Sequence, residues 1–477
     1  MDFQAFILEE ISRKMDFLVI GRRIIKMDSY LFKTIVPFIE KHHVCNSCLG
    51  RQFGNLLTGL SNADRGSALK IFLAMEWEIN HRQAKTGLSN ISSLVSKDFS
   101  IGEHSVRRYF PDSEPNSLPC TICQDFLSYP FLESLAKEAC DLVSAYEFST
   151  FLVGSKFPPG IIDNEDITRS TFSFEYGESI KSDFNRELGK ILSTFIPDAT
   201  VDFKAPDIVF TFDLIQNSID IKSNPLFILG RYRKLERGIP QSKWFCRKCR
   251  GVGCNHCNFT GKMYQDSVEE YATTPFFDAA KGISSKFHGS GREDIDARML
   301  GTGRPFVIEI SEPKIRNLDF KAITKQISDN SNGKVEVTIE GLTNRTKVRE
   351  IKTRSSRNAK AYRAVVTLEK SLPDNHSILE TITEEFTNIL IQQRTPIRVA
   401  HRRADKIRTR KVSSFQIEKA TKDEITVHIV CEGGLYVKEL ISGDQGRTQP
   451  SFSGKLGIPA VVTKLDVIEV FKSTDPI

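Results

Sequence analysis

No run of apolar residues in this sequence approaches the roughly 20 that a membrane-crossing helix requires, so no membrane partner is expected. The opening stretch, MDFQAFILEEISRK, carries acidic residues and lacks a basic segment leading into an apolar one, and is read as holding no secretory leader. The expectation is therefore a cytoplasmic protein. Internal repeats and long low-complexity tracts are also missing. Nor does one sign of charge dominate: 66 Lys and Arg against 60 Asp and Glu leave +6, with a pI near 8.7. That is only a mild lean toward nucleic acid.

What is present is a chain of 477 residues, too long for one core, so two or three domains are expected. Residues 1–90 read as mostly helical, with apolar residues at three- and four-residue steps through IIKMDSYLFKTIVPFIE and GSALKIFLAMEWEI. Residues 91–120 are polar and turn-rich. A small α+β unit follows from about 150. FLVGSKFPP is a strand stopped by prolines, SIKSDFNRELGKILSTFI has helical spacing, and DIVFTFDLIQNSIDI alternates like a hairpin turning near Asn217 and Ser218. From about 265 onward long alternating strands are predicted at 304–310, 334–341, 361–368, 424–431 and 463–471. HSILETITEEFTNILIQQ is predicted as one helix, with Ile378, Leu379, Ile382, Phe386, Ile389 and Leu390 on a single face. The fold class expected is multidomain α+β, ending in a mainly antiparallel sheet covered by helices.

Eight of the ten cysteines form four C-x-x-C pairs: Cys45/Cys48, Cys120/Cys123, Cys246/Cys249 and Cys254/Cys257. An intracellular chain does not build a disulfide framework from such pairs, and repetition at one spacing points to metal. In CRKCRGVGCNHC two knuckles flank a loop holding Gly251 and Gly253, which suits a tetrahedral four-thiolate zinc site. Arg247, Lys248 and Arg250 alongside favour thiolates. A redox dithiol would need only one pair. Cys45/Cys48 and Cys120/Cys123 are each half a tetrahedron and are expected to meet in a second structural zinc site, across the 71 residues between them.

The segment HGSGREDIDARMLGTGRPFVIEI (288–310) contains Gly291-Arg292-Glu293-Asp294, which resembles the G-R-x-D element of pseudouridine synthases. KAYR (360–363) is similar to that group's second motif, and GLYVKELISGD (434–444) to its third. The longer string is similar to the THUMP-containing branch shared by archaea and eukaryotes, which modifies the TΨC arm of tRNA. The resemblance covers most of the chain. It implies 244–264 as a zinc knuckle, a THUMP-like RNA-binding region over 91–243 and a catalytic domain over 265–477. It implies tRNA as partner, uridines 54 and/or 55 as targets, no cofactor for catalysis, no nucleotide cofactor and a monomer.

In that reaction the N1–C1′ bond of uridine breaks, the uracil turns, and C5 bonds to C1′. The resemblance implies that Asp294 is the indispensable carboxylate. A carboxylate kept ionised in a pocket needs a facing cation, and Lys438 is the matching candidate. With 434–444 taken as a strand, Tyr436, Lys438 and Leu440 share one face. Tyr436 would then touch the uridine and Leu440 pack beneath it. Tyr362 supplies a ring to stack on a flipped base, with a phenol able to act in proton transfer at C5. Arg292 is a candidate for a phosphate contact or for filling the space the base vacates. Asp296 lies close enough to be mistaken for the catalytic group, and Asp294 is preferred for its register in G-R-x-D. By themselves an Asp in a turn, a Tyr in a strand and a surface Lys are structural; their order and spacing together set that aside.

Between Arg394 and Lys411 eight cations face only Asp405. Such a run is usually a solvated face, but between two motifs of an RNA-modifying domain it is read as gripping phosphates, through Arg394, Arg398, Arg402, Arg403, Arg408 and Arg410. KSNPLFILGRYRKLERG (222–238) is assigned to the same track. A non-catalytic zinc-dependent RNA-binding protein shares the N-terminal features but leaves the three ordered motifs unexplained. A J-domain-type co-chaperone would need several dense cysteine units and a His-Pro-Asp signature, and the chain has neither.

Overall fold

Alternation of side chains across a pleat is the clearest local pattern here: in EITVHIVC every second residue is buried and the strand forms over the whole segment. The computed structural model describes residues 30–82, 94, 98, 108, 118–354, 358–373 and 377–471. Contacts divide it into two compact units, one of the described residues up to 143 with 152–201 and 210–221, the other of 144–151, 202–209 and 222 onward.

In the first unit, helices Tyr30–Lys41 and Asn62–Arg82 bracket the Cys45 knuckle, as the helical spacing predicts. Residues 1–29 and most of 91–117 lie outside the described residues. Strands β1 (Thr150–Lys156), β2 (Thr200–Val201), β3 (Ile208–Asp213) and β4 (Ser218–Ser223) form a sheet in the order β2-β1-β3-β4, with helices Pro159–Phe172 and Ile180–Phe195 between β1 and β2. The predicted hairpin is the β3–β4 pair, and Asn217 takes the left-handed turn conformation at φ 51°. A buried ion pair, Arg51 with Glu165, ties the knuckle region to the β1–β2 connection.

The second unit is built on a ten-stranded sheet of β5 (Leu226–Lys234), β6 (Ser284–Gly289), β7 (Ala297–Ser311), β8 (Val335–Thr343), β9 (Lys360–Leu368), β10 (Ile389–Arg394), β11 (Ile407–Ala420), β12 (Glu424–Cys431), β13 (Thr448–Gln449) and β14 (Ala460–Val470). Its order is β13-β10-β11-β12-β9-β14-β7-β5-β8, with β6 also paired to β7. Only β14 with β7 is parallel; the remaining described pairs are antiparallel, as expected. All five strands predicted beyond residue 300 are present. β5 lies in this sheet between β7 and the edge strand β8, although it precedes the boundary expected at 243.

Two expectations are corrected. The helix predicted over HSILETITEEFTNILIQQ ends at Glu385, and Ile389 and Leu390 belong to β10. Asn388 at φ 60° breaks the helix, and Ile391 then alternates into the core. Residues 434–444 are not a strand: a helix spans Val437–Ser442, entered through Gly434 at φ 95° with Tyr436 at its N-terminus. Leu440 therefore turns into the core with Leu435, Val437 and Ile441.

Candidate active site and metal clusters

The loop between β6 and β7 carries the G-R-E-D residues. Gly291 sits at φ 74°, where a side chain is strained, and turns the chain back toward β7. The residue fixing this loop is Glu293, one position before the aspartate of interest. Its carboxylate, 1% exposed, accepts from Arg304 Nε at 2.8 Å and from the Tyr232 hydroxyl at 2.8 Å, with Lys234 Nζ 3.9 Å away. Lys234 also donates to the carbonyls of Asp294 at 3.2 Å and Ile295 at 3.0 Å. Gln241 holds the carbonyl of Gly291 at 2.8 Å. Buried charges that each meet a partner make a stiff scaffold, and Asp294 projects from it.

Asp294 is one-third exposed and faces cations from two other elements. Arg398, in the turn after β10, contacts both carboxylate oxygens, at 3.1 and 3.0 Å. Arg398 is itself held by the buried Glu439 at 2.6 Å, from the helix Val437–Ser442. Burial works against its charge, yet Glu439 and Asp294 raise the guanidinium pKa above its ordinary value. Lys438, the partner expected from sequence, lies 3.8 Å from Asp294 and only 2.5 Å from Asp296. Against its own desolvation, Asp296 is held below the usual carboxylate range by that lysine. Arg398 thus occupies the place assigned to Lys438, and Lys438 spans both aspartates.

Asp294, Arg398 and Lys438 line one cavity of about 540 Å³, which also takes in Tyr362, Tyr436, Arg292, Lys360 and Arg304. That volume lies within the roughly 300–1,000 Å³ of small-molecule sites. Tyr362 on β9 presents its ring from the sheet, and burial pushes its phenol pKa up, so it carries its proton at neutral pH. Tyr436 lies under two guanidinium groups, Arg398 at 5.7 Å and Arg403 at 6.0 Å from the ring centre. Its hydroxyl is buried without a partner among the described residues. Leu440, expected beneath the base, is fully buried and does not line the cavity.

The basic run divides. Arg398, Arg403, Arg408 and Arg410 line the cavity, whereas Arg394 pairs with Asp405 at 2.6 Å and points its charge there. The side chain of Arg402 lies outside the described residues. The basic tail of β5 is engaged by partners within the fold: Lys234 is fully buried, Arg237 pairs with Asp466 at 2.5 Å, and the exposed Arg233 pairs with Glu336. Sequence reasoning missed Glu293, Arg304, Lys234, Lys360 and Glu439. A signal existed for two of them. Lys234 and Arg304 are charged residues at inward positions of alternating apolar strands, which only a buried partner permits.

All ten cysteines are free, and eight of them gather into two groups of four: Cys45, Cys48, Cys120 and Cys123, and Cys246, Cys249, Cys254 and Cys257. The expected meeting of the two distant pairs occurs, with Thr121 N–H bonded to the His43 carbonyl at 2.8 Å. Sulfur separations are 3.7 Å for Cys45–Cys123, 3.7 Å for Cys249–Cys257, 3.8 Å for Cys254–Cys257 and 4.0 Å for Cys246–Cys254. A tetrahedron with sulfur about 2.3 Å from zinc has edges of about 3.8 Å, whereas a disulfide is about 2.05 Å. Both groups fit a metal ion. Backbone N–H groups also point at sulfur, from Gly253 to Cys249 at 3.2 Å and from Cys45 to Cys120 at 3.4 Å, which favours thiolates.

A two-unit α+β protein with two four-cysteine clusters and a cation-lined cavity around one aspartate is thereby defined as a class. Comparison with known proteins makes it specific. The family profile described as "Pus10, C-terminal" matches residues 227–471, and "Pus10 THUMP domain, archaeal" matches 135–213. "tRNA pseudouridine synthase Pus10" of Methanocaldococcus jannaschii is 42% identical over 91% of this chain and 93% of its own length. The protein of the same name from Methanopyrus kandleri is 40% identical, over 90% and 96%. The chain belongs to the Pus10 family of THUMP-containing pseudouridine synthases, as its motifs implied. Among the described residues no helix is long and apolar enough to cross a membrane.

Proposed function

We propose that this protein isomerises uridine to pseudouridine in the TΨC arm of tRNA, at position 54, 55 or both, with Asp294 as the essential carboxylate. The observation that carries the reading is the convergence of Asp294, Tyr362 and Tyr436 on one cavity with cations on its walls. The uridine flips into that cavity, where Tyr362 and Tyr436 offer stacking surfaces worth roughly 1–3 kcal/mol each. Arg398 pairs with Asp294 and aims it, and Lys438 with Asp296 lines a smaller adjoining cavity that shares Asp294, Arg292 and Arg398 with the first. Arg292 occupies the rim of the cavity, placed for a phosphate or for the gap left in the RNA. The reaction is an isomerisation without redox change, so no cofactor is required. The test is to incubate the protein with unmodified tRNA transcript, nothing else added, and map pseudouridine at nucleotide resolution. Modification confined to 54 and 55 supports the reading; none anywhere defeats it.

Division of labour follows from the same reading. The cysteine clusters hold zinc structurally, the THUMP-containing region delivers tRNA, and the sheet from β5 onward performs the chemistry, the protein acting as a cytoplasmic monomer. A closed four-sulfur zinc site contributes folding energy and performs no step. Chelation is accordingly expected to lower the melting temperature and weaken tRNA binding, leaving the single-turnover rate of bound substrate nearly unchanged. Differential scanning calorimetry beside a rate measurement checks this. Besides Arg398, which is committed to Asp294 and Glu439, three arginines of the basic run line the cavity, Arg403, Arg408 and Arg410, and each phosphate contact contributes a slope of about 0.7–0.9 to log Kd against log salt. A slope of ~2 or more is expected for tRNA binding, and a flat response would remove the phosphate-gripping role.

A further inference from the structure

The smaller adjoining cavity, of about 220 Å³, differs from the first in its chemistry. Its charge is balanced: Arg292, Arg398 and Lys438 stand against Glu293, Asp294 and Asp296, and Lys438 is bonded to Asp296 at 2.5 Å. Arg403, Arg408 and Arg410, which give the first cavity its excess of positive charge, do not line the second. Phosphate is held where cations are in excess; a charge-balanced hollow suits an uncharged ring instead. The group placed to meet such a ring is Trp244, which lines the second cavity and not the first.

Trp244 is fixed through its backbone. Its carbonyl accepts from the Met263 N–H at 2.9 Å, and beside it Phe245 pairs with Lys262 in a short antiparallel stem. The Cys246 cluster closes that stem, with the Cys246 N–H bonded to the Gly261 carbonyl at 2.7 Å. On the other side the Lys243 N–H donates to the Glu269 carboxylate at 3.1 Å. Tyr264 meets the indole at 85°, ring centres 5.6 Å apart, and an edge-to-face contact covers at most one face of a ring. The first cavity creates a base in need of such a face. When a uridine leaves its helical stack, the base beside it loses a stacking partner. Resting on the function proposed above, we infer that Trp244 stacks on the nucleotide next to the reacting uridine, so that the two cavities hold two consecutive nucleotides. Every base has a π-face, so the contact sets register without reading sequence. It is made in bound substrate and transition state alike, and therefore acts on affinity and not on the chemical step.

The experiment measures tRNA affinity, single-turnover rate at saturation and melting temperature for wild type, Trp244→Leu and Trp244→Phe. Substrates are intact tRNA transcript and ligated tRNAs lacking the base immediately 5′ or immediately 3′ of the modified uridine. Trp244→Leu is expected to bind intact tRNA about tenfold more weakly, in the range of one lost stacking contact. Its rate at saturation should stay within about twofold of wild type, as for loss of uniform binding. Trp244→Phe keeps a flat ring and should bind within about threefold of wild type. One of the two abasic tRNAs should bind wild type about tenfold more weakly and Trp244→Leu equally weakly, because ring and base form one interaction. Exchanging that base for another should cost less than about threefold. The chain has two tryptophans, so in a Trp77→Phe background the emission belongs to Trp244 alone. Intact tRNA should quench it, and that abasic tRNA should not. Should Trp244→Leu melt low, the quenching and abasic measurements, made with Trp244 in place, decide alone. Wild-type affinity in Trp244→Leu, losses from ring and base that multiply, or unquenched emission with intact tRNA would each overturn the inference. Absence of pseudouridine from every transcript would instead overturn the functional reading beneath it, because affinity and quenching are read without turnover.

Discussion

Asp294→Asn is expected to abolish pseudouridine formation, slowing single turnover by about a thousandfold or more, the scale on which one positioned catalytic carboxylate contributes. The substitution keeps shape and hydrogen-bonding capacity and removes only charge. Arg398 retains Glu439 at 2.6 Å, so no buried cation is left alone and folding should change by less than about 1 kcal/mol. Affinity for tRNA should stay within a few-fold, because the phosphate-facing arginines are untouched. Loss of turnover with binding and melting temperature preserved is the combined signature. Loss of all three together would point to a structural carboxylate.

The second large effect is expected next door. Glu293→Ala deletes the carboxylate shared by Arg304 and Lys234, both almost fully buried. Breaking a buried ion pair from one side costs about 3–5 kcal/mol, because the remaining charge has nowhere to go. For a unit of this size that lowers the melting temperature by roughly 10 °C. The Asp294 loop also loses its anchor, so rate should fall even below the melting range. Glu293→Gln, which keeps an acceptor for Tyr232 and Arg304, should be milder on both counts. Thermal unfolding followed by calorimetry separates the cases, and a wild-type melting temperature for Glu293→Ala would refute the anchoring role.

The contrast between these neighbours indicates what a sequence can disclose. Asp294, Tyr362 and Tyr436 could be singled out because three short motifs occur in order, and the structure brings all three residues to one cavity. Strands such as 424–431 were legible because period-two burial is written locally. Ile389 and Leu390 were misread because they continue a helical period across Thr387 and Asn388, and only the left-handed turn at Asn388 reveals the break. The 434–444 segment was misread because Tyr-x-Lys-x-Leu fits a strand as well as the first turn of a helix. Arg398 could not be singled out among eight cations, since its distinction is tertiary: a bond to Asp294 on one side and to Glu439 on the other. Glu293 stood inside the motif, yet its partners lie in β5 and β7, distant in sequence.

The central claim concerns which of two close aspartates acts, and one measurement addresses it: single-turnover pseudouridine formation by Asp294→Asn and Asp296→Asn, side by side on the same tRNA transcript. Asp296 is bound to Lys438 at 2.5 Å and is largely exposed, so its loss should slow the reaction by no more than about tenfold, the scale of a surface ion pair. Asp294→Asn should leave no detectable product. An Asp294→Asn enzyme that still forms pseudouridine, paired with an inactive Asp296→Asn, would contradict the account.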